Sequence, residues 1–239
     1  MFKHTILVAA VAGLVLALPP ASQAGVVAEC DIDILNPYVP EALRYEGAQF
    51  RLVFRTDGDY QALSTSIDWY NAQVTTEANT NTDLNGLGSW YVIGSTSTVA
   101  AKANTYTGTS DPSVPIYALS GSMVSDNNPF WSSASYPILY PIKDTPQGLV
   151  KTTQVHSGTR TTGLTSSWPL GGALDGTTLR TNWGDASTTY VNWIHKSGGW
   201  PASWGANPSA NLQGLYGMSG VLTVIPEPAT LALLGLAGC

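Results

Sequence analysis

The chain has 239 residues, 44% of them hydrophobic and only 11% charged, with a net charge of −6. With no Lys/Arg-rich run, this acidic balance excludes the electrostatic footprint of a nucleic-acid binder. Two cysteines in the whole chain exclude a disulfide-built scaffold. Stability must then come from a core, and eight Trp, eleven Tyr and four Phe can build one. Each buried aromatic removes roughly 150–250 Å² from water.

In chain order, Lys3 and His4 precede an apolar run from Ile6 to Leu18. Pro19-Pro20 breaks that run, and Ser22-Gln23-Ala24 supplies the small residues of a cleavage site. This is the three-part layout of a secretory signal peptide. It predicts export, a cut after Ala24, and one domain across 25–224, a length that suits a single all-β or α+β unit.

Within that domain Gln49 to Arg55 alternates, with Phe50, Leu52 and Phe54 on one side and Arg51, Val53 and Arg55 on the other. The pattern predicts a half-buried strand. After the turn Thr56-Asp57-Gly58-Asp59, the spacing of Ile67, Tyr70, Val74 and Ala78 predicts a helix across Ser66–Asn79, opened by a Thr65/Asp68 capping box. Trp90-Tyr91-Val92-Ile93 reads as a strand, Thr98 to Asn104 as a short helix, and Val114 to Leu119 as an extended segment. Later signals are short; Val155 to Thr159 and Leu215 to Val224 are the clearest strands. No repeat of solenoid or propeller length is visible. The expected fold class is therefore α+β, with an all-β sandwich or jelly roll as the alternative.

The chemistry-bearing residues are sparse. His156 and His195 have no Cys cluster or HExxH spacing around them, so no metal site is expected. His156 reads as a packed side chain. Ser95 and Ser157 lack a G-x-S-x-G elbow, and no carboxylate pair stands out as a glycosidase dyad. Asp57-Gly58-Asp59 and Asp126-Asn127-Asn128 are oxygen-rich, yet neither fits the calcium-loop spacing; both read as solvated turns. No cofactor is expected. The densest aromatic stretch carries Trp183, Trp193, Trp200 and Trp204 among Gly and Pro residues. These rings are either core or an exposed face for stacking on sugar rings.

The C-terminus reads Ile225-Pro226-Glu227-Pro228, then Ala-Thr-Leu-Ala-Leu-Leu-Gly-Leu, and ends at Cys239. It resembles the PEP-CTERM sorting tail of exported bacterial proteins. That resemblance implies an exosortase-type processing enzyme acting near Pro226, Glu227 and Pro228. It also implies transient inner-membrane association and release or anchoring at the cell surface. The basic cluster that closes such tails does not follow within this sequence. As a helix, Pro228 to Cys239 would span only ~18 Å of a ~30 Å hydrocarbon core, so the tail (225–239) is expected to continue into basic residues.

A second resemblance rests on Phe50-Arg51-Leu52-Val53-Phe54, Trp90-Tyr91-Val92-Ile93-Gly94-Ser95, Val114-Pro115-Ile116-Tyr117-x-Leu119-x-Gly121, His156-Ser157-Gly158-Thr159 and Leu215-Tyr216-Gly217-Met218-Ser219. This order is similar to a group of exported PEP-CTERM proteins, and more distantly to the endostatin-like branch of the C-type lectin fold. The resemblance implies that Phe50–Phe54 pairs with Leu215–Val224 and that helices and a long loop region follow. The family's disulfides, its zinc histidines and its sugar-binding Glu-Pro-Asn loop are absent; Trp183-Gly184-Asp185 is a poor echo of its Trp-Asn-Asp. The expected function is an exported, non-enzymatic cell-surface or exopolysaccharide-matrix module, with extracellular polysaccharide as a partner. The alternative is an extracellular polysaccharide-acting hydrolase.

Overall fold

The computed structural model describes residues 28–31, 38, 43, 45, 47–108, 114–126, 130–135, 137–175, 178–196 and 206–225. Its centre is β2 (Gln49–Arg55). β10 (Tyr216–Ser219) runs antiparallel to it through Gly217↔Phe54, and β11 (Leu222–Ile225) continues through Leu222↔Phe50. Between the Met218↔Val53 and Leu222↔Phe50 pairs, three steps on β2 face four on the partner, so the returning strand carries a one-residue bulge. The expected neighbourhood of Phe50–Phe54 and Leu215–Val224 is therefore what forms. β4 (Ile116–Ala118) adds to β2 in parallel, and β5 (Met123–Ser125) adds antiparallel to β4. β3 (Trp90–Val92) pairs with β10, and β1 (Ala28–Asp31) pairs in parallel with β11.

Helix α1 (Ile67–Ala78) lies on one face of this sheet. Phe50, Leu52 and Phe54 meet Tyr70, Val74 and Ala78 there, with Trp90 edge-on to Phe54 at 5.0 Å. The helix begins as the apolar spacing requires, but the expected capping box does not form. Ser66 occupies the cap position, and no side-chain oxygen closes it. Glu77, on the same helix, is buried and does a different job. Its carboxylate accepts from the N–H groups of Asp57 (3.2 Å) and Gly58 (2.8 Å) and from the Tyr60 hydroxyl (2.8 Å). The turn after β2 is thus pinned to the helix rather than left in water. Helix α2 (Ala101–Asn104) is short, and its Ala101 N–H donates to Ser95 Oγ at 2.8 Å.

The other face of the sheet is buried as well, which corrects the half-buried reading of β2. Val53 packs with Ile93, Ile116, Phe130, Val155, Trp193 and Met218 in a second core. Arg51 and Arg55, expected in solvent, are each only 1% exposed. Burial of a guanidinium needs acceptors in place of water. Arg51 finds the carbonyls of Thr105 (2.9 Å), Ser219 (3.1 Å) and Tyr106 (3.1 Å).

A second, smaller sheet covers this face. It comprises β6 (Gln154–His156), β7 (Ala173–Asp175), β8 (Thr178–Asp185) and β9 (Ala206–Pro208), all antiparallel to β8. The seam between the sheets is the Ser157–Thr159 segment. Ser95 N–H donates to Ser157 O at 2.8 Å on one side. On the other, the N–H groups of Ser157 and Gly158 donate to Asn182 O at 3.0 and 3.1 Å, while Asn182 Nδ2 donates to Thr159 O at 2.7 Å. The regular structure of the described residues is mostly short strands, in one mixed and one antiparallel sheet, with one main helix. Among the described residues no helix is long and apolar enough to cross a membrane.

Candidate functional site

A polar cleft of about 680 Å³ opens where the two sheets meet. Backbone pairing assembles it. Gln154, the first residue of β6, stands directly opposite Asp185, the last residue of β8. Gln213 is bridged to Tyr60, which places Asp59 beside it. Gln213 Nε2 then donates to Gln154 Oε1 at 3.1 Å, closing a chain from Asp59 through Gln213 and Gln154 to Asp185. Asn207 Nδ2 also donates to that Gln154 oxygen, at 2.8 Å. Thr153, Ser187, Asn211 and the exposed Leu212 complete the rim.

Two buried basic side chains support the floor. Arg55 Nη2 donates to Asp59 Oδ1 at 2.8 Å and to Thr153 Oγ1 at 2.7 Å, and Nη1 donates to Thr56 O. The guanidinium lies against Gly214, where a Cβ would come within 2.6 Å of Arg55 Cζ; only glycine permits that approach. His156 is fully buried, and its Nε2 lies 2.9 Å from Asn211 O. A carbonyl only accepts, so Nε2 carries the hydrogen and Nδ1 is the bare nitrogen. Nδ1 has no partner. This is the packed histidine expected from the sequence, and it also holds the Asn211 turn at the cleft.

Burial holds the His156 imidazole below its ordinary 6.5, against smaller opposing effects of the Asn211 carbonyl and Asp59. His195 is lowered too, by burial and then by Arg160. The unfolded chain therefore takes up these protons first. Stability is complete above about pH 6.5, falls as pH drops below it, and levels off once the folded imidazoles protonate. Each histidine contributes up to about 1.4 kcal/mol per pH unit. His156→Gln keeps an N–H for Asn211 O and removes the titration. Urea unfolding between roughly pH 6.5 and 5 should show a shallower loss for the variant. An unchanged slope would mean that His156 is not held neutral.

The acceptors of the cleft are only partly used. Asp185 Oδ1 receives the Ser187 N–H (2.9 Å) and Oγ–H (2.6 Å), which leaves Oδ2. Asp59 uses Oδ1 for Arg55, which leaves its own Oδ2. Gln213 is 7% exposed, and its Oε1 has no hydrogen-bond partner. A second cleft, of about 610 Å³, lies between Tyr38, Asn81, Asp83, Asp144 and the exposed Leu149 and Val150.

Of the tryptophans read as either core or a stacking face, the two described ones are core. Trp193 is 1% exposed, in the 3-10 turn Val191–Trp193. Its ring packs against Phe130 (4.9 Å), Tyr216 (5.8 Å) and, nearly parallel, Trp131 (6.1 Å). Trp183 is also buried, with Lys196 Nζ 4.3 Å from its ring centre. Neither offers an open ring face, because the turn directs Trp193 into the second core and Trp183 lies under the chain that follows. Trp200 and Trp204 lie outside the described residues, as do Ala24, Pro226, Glu227 and Pro228. An open tryptophan is found elsewhere: Trp69 on α1 is 39% exposed and sits edge-on to Tyr60, next to Asp59.

Asp57-Gly58-Asp59 is not a free solvated turn. Glu77 holds its backbone, and Lys151 Nζ pairs with Asp57 at 2.8 Å. Ser95 and Ser157 are fully buried, and Ser157 Oγ donates to Ile194 O at 2.6 Å; both belong to the seam. Among the described residues no three His, Cys, Asp or Glu side chains group as metal ligands. Of the cleft residues, the sequence drew attention only to Asp59 and Asp185. Gln154, Asn211 and Gln213 carry no motif; their one signal is a run of amides beside short strands. No protein-family model matches the chain, and no curated protein matches it.

Proposed function

We propose that the chain is an exported, non-enzymatic module of the cell surface or exopolysaccharide matrix, and that the cleft at the sheet junction binds extracellular polysaccharide. The observation that carries the binding reading is the cleft itself. Its amides, hydroxyls and carboxylates are set on strand ends and braced by buried Arg55 and His156. Alternating donors and acceptors around a rigid hollow suit the hydroxyl array of a sugar. The export reading is supported by the signal-peptide layout ending at Ala24 and by Pro226-Glu227-Pro228 with its apolar continuation. An exosortase-type enzyme and a transient stay at the inner membrane follow from that tail.

The domain is proposed to be C-type-lectin-like, on its endostatin-like branch. The pairing of β2 with β10 and β11, followed along the chain by α1 and α2, supports this.

The test is a glycan and exopolysaccharide binding screen of the full chain in mild detergent, with product analysis. Binding without turnover is expected, weakened by Gln213→Leu at the cleft floor with the melting temperature monitored. One observation favours a second reading: Asp59 and Asp185 line the same cleft, as two carboxylates do in a glycoside hydrolase. Release of shortened oligosaccharides would establish that enzyme and overturn the module. No binding to any glycan would remove the polysaccharide reading.

A further inference from the structure

Beside the amide N–H groups of Gln154 and Asn211, the cleft keeps three acceptor oxygens that its own hydrogen bonds leave over. Gln213 Oε1, buried and without a partner, is an acceptor. So are the second carboxylate oxygens of Asp59 and Asp185. Among the described residues the cleft lining holds two carboxylates and no lysine or arginine. Arg55, beneath, is ion-paired to Asp59, and among the described residues no ion pair is made to Asp185. A ligand that supplies only acceptors would leave Gln213 Oε1 buried and unsatisfied, at a cost. A ligand bearing carboxylates would meet like charge in a partly desolvated hollow. Calcium would bring the right charge, but it needs six to eight oxygens and would sit beside the Arg55 guanidinium. A primary ammonium group carries three donors and one positive charge, which matches three free acceptor oxygens and one unpaired carboxylate.

Resting on the polysaccharide reading, we propose that the cleft selects a saccharide bearing free amino groups, a glucosamine-type rather than an N-acetylated, neutral or uronic-acid polymer. Asp185 and Gln213 take the ammonium, and the Gln154, Asn211 and Thr153 side chains take the neighbouring hydroxyls. Leu212, 66% exposed at the rim, offers the apolar surface that a sugar ring covers.

The experiment is titration calorimetry of the full chain with glucosamine oligomers, the same oligomers N-acetylated, neutral glucan oligomers, uronic-acid oligomers and calcium chloride alone. Glucosamine oligomers should bind at least about tenfold tighter than the N-acetylated set, in line with one charge-assisted contact. Raising salt from low to physiological strength should weaken them. Asp185→Asn keeps the acceptor for Ser187 and should abolish the preference; the salt dependence of the unsubstituted chain tests the same point if that variant folds poorly. Equal affinity for amino and N-acetylated oligomers, or preference for neutral or uronic-acid oligomers, overturns the amino-sugar inference while polysaccharide binding stands. Tight calcium binding that Asp185→Asn removes overturns it in favour of a cation site. No binding to any oligomer overturns both.

Discussion

Trp193→Ala is expected to destabilise the protein by about 3–5 kcal/mol, the range for deleting a large aromatic from a packed interior. The ring is 1% exposed and touches Phe130, Trp131 and Tyr216. Its removal leaves a hollow between the two sheets that Val53, Ile93 and Met218 on the sheet side cannot fill without moving the backbone. Urea unfolding should show the loss directly. Trp69→Ala, on the exposed flank of α1, should stay within about 1 kcal/mol. If Trp193→Ala proved equally mild, Trp193 would not be a core residue, and a stacking role for it would stand again.

Gly158→Ala should be still more damaging. Gly158 has φ +62 and sits in the seam between the sheets. A Cβ there would press on Leu170 N and Ser95 O and lie 2.8 Å from Pro169 C. All three are backbone atoms, and Leu170 N–H already donates to Ser95 O at 2.7 Å. No flexible side chain can yield, so the methyl must part that hydrogen bond as well as accept a left-handed backbone. The left-handed conformation alone costs about 1–2 kcal/mol. With the steric conflict the total should exceed about 4 kcal/mol, in the range that signals a specific structural failure. Gly148→Ala separates the two contributions. Gly148 has φ +76 but nothing within 4 Å of its would-be Cβ, so it should show the torsional cost alone. Similar losses for the two variants, measured by chemical unfolding, would show that the seam tolerates a methyl group and is not tightly closed.

The elements legible in the sequence are those whose signal is local. The alternation of Gln49–Arg55, the three-and-four spacing of Ile67, Tyr70, Val74 and Ala78, and the apolar Leu215–Val224 stretch each report a period that a strand or helix requires. β8 has no such signal although, with eight residues, it is the longest of the described strands. Its sequence Thr-Leu-Arg-Thr-Asn-Trp-Gly-Asp alternates weakly, and its place is held by partners on both edges and by the Asn182 contacts with the seam. The candidate site was less legible still, because Asp59, Gln154, Asp185 and Gln213 come from four separate segments and share no motif.

From the amino-acid sequence alone came the acidic, cysteine-poor composition, the signal-like and tail-like ends, and the strand and helix that open the domain. These depend on composition and on residues within a turn or two of each other. The tertiary structure decided which faces are covered. A period of two tells which side chains share a face of β2, but not that Arg51 would find carbonyls from distant segments, and Arg55 a carboxylate in the following turn, and that both would be buried. An aromatic run tells that rings are available, but not that a 3-10 turn would direct Trp193 into the core. The cleft exists only because backbone pairing sets Gln154 against Asp185 and Gln213 against Tyr60, and such long-range pairing leaves no periodic trace in the chain.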